Sequence, residues 1–81
     1  MAVNQVRKMS LQDESVYFKV RIALKVTPET ESFYKDIKIV ADRGTVTLDG
    51  VAPSAEAVRA AERAANTVPE VLRVVNNLKI S

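Results

Sequence analysis

A chain of 81 residues with 47% hydrophobic content, two glycines and three prolines has room for one small globular domain and none for a second. It has no cysteine, which excludes a disulfide framework or a thiolate site, and no histidine, the side chain best suited to proton transfer near neutral pH and the commonest metal ligand. Twelve Lys and Arg against ten Asp and Glu leave a net charge of +2, too small to argue for nucleic acid.

The N-terminus, Met1 to Lys8, holds no apolar run of the length that a signal peptide or a membrane span needs, so the chain as written is expected to stay in the cytoplasm. Residues 1–10, with Arg7 and Lys8, are expected to form a flexible segment ahead of a single domain over 11–81. Ser10-Leu11-Gln12-Asp13 has the form of a capping box, in which a hydroxyl accepts from an orphan amide and an acidic group sits at the positive helix end. That spacing predicts a helix from residue 11.

From Val16 to Val26 two periods fit at once. At 3.6 residues per turn Val16, Val20, Ala23 and Leu24 share one face, with Tyr17 at its edge. At two, Val16, Phe18, Val20, Ile22, Leu24 and Val26 alternate without exception with Tyr17, Lys19, Arg21, Ala23 and Lys25, and strand propensity is high as well. Periodicity leaves helix and strand both open here. Thr27-Pro28 ends either element, because proline disfavours helix in the residue before it.

Asp36 to Gly50 reads as two short strands folded about Asp42-Arg43-Gly44. Ile37, Ile39 and Ala41 alternate with Lys38 and Val40, and Val46 and Leu48 alternate with Thr45, Thr47 and Asp49, so each strand has an apolar face. Gly44 supplies the positive φ of a tight reversal, and Gly50 is expected to open a turn through Pro53. Ser54 is a natural N-cap for a helix to residue 67, with Val58, Ala61, Ala65 and Val68 on one face and Glu56, Arg59, Arg63 and Asn66 on the other. Pro69 stops it. Val71 to Ile80 follows as a last strand, with Leu72, Val74, Leu78 and Ile80 alternating around Asn76, which marks either a bulge or a side chain that reaches a backbone partner.

This order resembles a BON domain. The likeness rests on Asp36-Ile37-Lys38-Ile39, on Gly44-Thr45-Val46-Thr47-Leu48-Asp49-Gly50-Val51, on the Ala-rich helix through Ala64 and Ala65, and on Val71-Leu72-Arg73-Val74-Val75-Asn76-Asn77-Leu78, over residues 13–80. The resemblance implies an α+β fold of order α-β-β-α-β, with a three-stranded mixed sheet covered on one face by two helices, and so favours helix for residues 11–26. One departure stands out: the family usually places a glycine just before the valine that opens the last strand, where this chain has Pro69-Glu70, so the exit from the second helix is expected to differ.

If the first segment is helical, Phe18, Ile22 and Val26 form a second apolar stripe away from the sheet. Loop 27–35, with Phe33 and Tyr34, is one candidate cover for it; otherwise the stripe is a self-association surface or a lipid-facing edge. Lys19, Arg21 and Lys25 lie near it, and basic residues beside apolar ones suit an anionic membrane surface as well as a solvated helix face. The resemblance implies a non-catalytic module associated with phospholipid, the bacterial envelope or periplasm, and stress response. The alternatives are a protein-interaction or self-association module acting through a sheet edge or the stripe, and small-ion sensing, for which Asp42, Asp49 and Glu70 are the loosest of candidates. No catalytic residue, cofactor or metal site is expected. Asp13-Glu14 and Glu29 with Glu31 fit capping and solvation, and the strands show no aromatic platform for nucleic acid.

Overall fold

The computed structural model describes residues 10–81, so the segment 1–10 expected to be flexible lies, but for Ser10, outside the described residues. Helix α1, Leu11–Val26, begins at Ser10, whose Oγ accepts from the Asp13 amide at 3.0 Å. The Asp13 carboxylate does not close the box. Its Oδ1 instead accepts from the backbone N–H of Arg43 at 2.9 Å, thirty positions along the chain. Helix therefore prevails over strand for residues 16–26, and the residues that decide it are Val16, Val20 and Leu24, all buried at helical spacing.

At the C-terminal end of α1 the loose carbonyls are met by hydroxyls, since no glycine follows. Thr27 Oγ1 donates to the Ala23 carbonyl at 2.7 Å, and the fully buried Thr30 Oγ1 donates to that of Leu24. Thr27 is extended, as the residue before a proline should be, and Pro28 opens a single helical turn, α2, Pro28–Glu31. A 3-10 turn over Tyr34–Asp36 then leads into the sheet.

Strands β1, Lys38–Asp42, and β2, Thr45–Ala52, form the predicted hairpin, with Ile39 opposite Leu48 and Ala41 opposite Val46, all four buried. The two turn residues both have positive φ, 53° at Arg43 and 89° at Gly44, the signature of a type I′ turn whose twist matches the strands. A side chain at Gly44 would strike Leu72, at 2.8 Å from its Cγ and Cδ1.

Gly50 does not begin a turn. It lies inside β2, opposite Leu78, at a φ of 135° that a side chain would strain. The expected turn at Gly50 to Pro53 is corrected accordingly: pairing with β1 stops at Asp49, but β2 runs on to Ala52 beside the third strand. The Asp36 carbonyl crosses over at this point, and a Cβ on residue 50 would stand only 3.0 Å from its oxygen.

Helix α3, Ala55–Asn66, is capped by Ser54 Oγ, which accepts from the Ala57 amide at 3.1 Å. Its buried side is Ala57, Ala60, Ala61, Ala64 and Ala65, and methyl-sized side chains let the helix sit close to the sheet while favouring helix themselves. It ends one residue before the expected boundary, and its exit uses no left-handed residue. Thr67 caps it through its amide and its Oγ1, which donates to Ala64 O at 2.6 Å, and Val71 N returns to Val68 O at 3.0 Å across Pro69-Glu70. That turn replaces the missing glycine. The last strand, β3, Arg73–Ile80, begins two residues later than expected and runs parallel to β2 in a sheet of order β1-β2-β3.

The fold is thus α+β with a mixed three-stranded sheet, covered on one face by α1 and α3. Asn76 lies in that covered face and does reach a backbone partner: Nδ2 donates to Val58 O of α3 at 2.9 Å, and Oδ1 accepts from Leu78 N at 3.2 Å. A second link joins α1 to the turn after α3. Lys19 Nζ pairs with Glu70 Oε2, and this pairing, foremost, with the Glu70 amide, holds the Glu70 carboxyl below its ordinary range against the opposing effect of desolvation. The other oxygen, Oε1, is shielded and has no hydrogen-bond partner among the described residues.

Two outcomes follow from these links. Asp13→Ala leaves the Arg43 amide without its charged acceptor and should lower the free energy of unfolding by about 1.5–3 kcal/mol in urea titration; an unchanged midpoint would show that the turn does not depend on the link. Glu70→Gln should lower the melting temperature at neutral pH. Because the folded carboxyl titrates below the unfolded one, the difference should fade as pH drops below about 4. A difference that persists unchanged in acid would contradict the pairing.

Candidate functional site

The outer face of α1 is the least satisfied surface of the domain. At about 100° per residue, Phe18 and Ile22 project on the side of the helix opposite Val20, which is completely buried, while Val26 lies beside them one turn on. Exposure is 57% at Phe18, 59% at Ile22 and 70% at Val26, and Leu11 extends the same line to the start of the helix. Loop 27–35 does not cover them. Phe33 turns inward and joins the hydrophobic core, and Tyr34 lies beneath the Arg21 guanidinium, whose carbon stands 5.5 Å from the ring centre. Loop cover is therefore corrected: Phe33 gains more by burial in the core than by lying on a surface stripe.

The three basic residues expected beside the stripe differ in circumstance. Lys19 is engaged by Glu70, Arg21 is half-buried on Tyr34, and Lys25 is exposed in the last turn, where the helix dipole also favours a cation. They stand on both flanks of the stripe, with Arg21 and Lys25 on one side and Lys19 on the other. The arrangement is an apolar ridge with cationic borders. Phe18 meets Tyr17 edge to face at 5.0 Å between ring centres, which limits its rotamers without burying it.

Away from the ridge, a cleft of about 450 Å³ opens where the start of α1, the hairpin turn and the approach to β3 converge, lined by Asp13, Arg43, Gly44, Glu70 and Leu72 among others. Apart from Glu70 Oε1, which has no hydrogen-bond partner among the described residues, its buried polar groups are engaged. Asp13 holds the Arg43 amide, Glu70 holds Lys19, and the Gly44 carbonyl accepts from Leu72 N at 2.8 Å and Arg73 N at 3.2 Å. The sequence carries no hint of this junction, since its partners lie about thirty and fifty positions apart.

The oxygens considered for an ion do not come together. Asp42 faces Thr45 and Asp49 faces Lys38, at opposite ends of the hairpin and about 13 Å apart at strand spacing, and Glu70 belongs to the cleft. Among the described residues no three His, Cys, Asp or Glu side chains cluster as metal ligands, and no helix there is long and apolar enough to cross a membrane. Gly44 and Gly50 serve backbone geometry alone.

Comparison with curated proteins finds no match. Among protein families, the model described as the BON domain matches residues 12–81, which is nearly all of the described chain and includes the two helices that cover the sheet, the hairpin and β3. With the α-β-β-α-β order and the mixed sheet already in place, that match makes this chain a member of the BON domain family, a family of non-catalytic binding modules associated with envelope and osmotic-stress proteins.

Proposed function

We propose that the module binds anionic phospholipid surfaces through the outer face of α1, as a peripheral element of envelope maintenance. The observation that carries this reading is the position of the stripe. Phe18, Ile22 and Val26 point away from the whole core, so a flat surface can meet them without any rearrangement of the domain. A helix of this kind lies in the plane of a bilayer interface, its apolar ridge among the upper acyl carbons and its basic borders at headgroup level. Lys25 is positioned to meet lipid phosphate directly, while Lys19, paired with Glu70, and Arg21, on Tyr34, add positive potential at the borders of the ridge.

Affinity on this reading is modest. One short ridge and two or three cations make a reversible anchor, which suits a module that acts in concert with others.

Co-sedimentation with vesicles containing anionic lipid tests the proposal. The wild-type domain should pellet at low salt, lose binding as salt rises, and lose it throughout as Phe18→Ser/Ile22→Ser. Lys25→Ala should weaken it about fivefold, as expected for about 1 kcal/mol per cation near the surface. No pelleting at low salt, or pelleting indifferent to the Phe18 and Ile22 changes, would remove the idea.

A further inference from the structure

We propose that the free edge of β1 joins a second copy of this chain, in an antiparallel β1–β1 pair that merges two three-stranded sheets into one of six. The two-residue turn makes Asp42 and Thr45 a hydrogen-bonded pair, and antiparallel alternation then makes Val40–Thr47 and Lys38–Asp49 hydrogen-bonded as well. Ile39 and Ala41 therefore point their N–H and C=O groups away from β2. Among the described residues no other strand or side chain takes them up.

Now let a two-fold axis pass through Val40. Ile39 of each copy falls opposite Ala41 of the other, so the outward groups of both residues meet as hydrogen-bonded pairs, and Val40 faces its own copy as a close non-hydrogen-bonded pair. The register also keeps the pleat in phase. Ile39 and Ala41 stay beneath the helices in both copies, while Lys38, Val40 and Asp42 stay on the open face, where all three are exposed. On that face Lys38 of each copy lies opposite Asp42 of the other, a charge-complementary pair formed twice by symmetry, around the apolar Val40 contact.

The other edge of the sheet lacks this complementarity. A two-fold pairing of β3 about Asn76 sets Arg73 opposite Lys79 twice, like against like, which disfavours that join. The helix layer is consistent with the β1 edge as well. Lys19 turns one flank of α1 toward Glu70, and the opposite flank, with Tyr17 and Arg21, lies by Tyr34 just ahead of β1. Two helices spaced about 10 Å apart are wider than three strands at about 4.8 Å. That flank thus reaches the edge and shares in the join, and it bears the half-buried Tyr and Arg side chains that interfaces favour. This inference does not rest on the lipid reading.

Sedimentation equilibrium over a concentration series tests it. The wild-type chain should show a reversible monomer–dimer equilibrium. K38D and D42K each set like charges against each other across the axis, and each should raise the dimer Kd about tenfold or more, with circular dichroism and melting confirming that each variant is folded. Mixed in equal amounts, the two should recover dimer, because the new carboxylate of one variant then meets the new ammonium of the other. A wild-type chain that stays monomeric throughout would overturn the proposal. So would a mixture no tighter than the folded variants alone, or a dimer lost in Phe18→Ser/Ile22→Ser but kept in K38D and D42K.

Discussion

Everything distinctive about this domain depends on how α1 sits on the sheet. Val16, Val20 and Leu24 enter the core beside Ile39, Ala41 and Leu48, and in doing so they assign every other position of the helix. Because apolar residues occur at each even position from 16 to 26, a helix docked on three of them is obliged to display the rest. Phe18, Ile22 and Val26 are outside for a geometric reason, and their exposure is the cost of using one helix to cover a small sheet.

The docking is held in register at both ends and one flank. Asp13 reaches the strained hairpin turn at Arg43, Thr27 and Thr30 close the last carbonyls, and Lys19 reaches Glu70 beyond α3. Arg43 has a positive φ without being glycine, a conformation that costs of order 1 kcal/mol, and the Asp13 carboxylate on its amide offsets that strain. The core itself is thin, with five alanines on the buried side of α3 and a few branched residues elsewhere. In a domain of this size a single well-placed hydrogen bond is a large share of the net stability.

Much of this was legible in the sequence wherever the signal is local. The hairpin alternation, the Ser10 and Ser54 caps and the alanine face of α3 each involve residues whose spacing matches their structural period or cap geometry, whereas for Asn76 the sequence left a bulge and a backbone partner both open. What was not legible depends on tertiary contact. Residues 16–26 satisfy two periods equally, and only the sheet beneath selects the helix. Gly50 looks like any turn glycine until the Asp36 carbonyl crosses it, and the Asp13–Arg43 and Lys19–Glu70 links join residues with no sequence relation. For the site, the stripe itself was visible as soon as helix was assumed. That loop 27–35 leaves it uncovered was not, because Phe33 could have packed on the stripe as well as in the core.

The open face of the sheet offers the natural contrast for the outer face of α1. It presents Thr45, Thr47 and Asp49 mixed with Lys38, Val40 and Val51, and so has exposed apolar residues among polar ones but no continuous apolar ridge like that of α1. The most direct measurement is therefore paramagnetic broadening of backbone amides by spin-labelled lipid in anionic bicelles. The account predicts the strongest broadening at Phe18, Ile22 and Lys25, with Thr45, Thr47 and Asp49 unaffected. Broadening centred on the open face, or spread evenly over both, would contradict it.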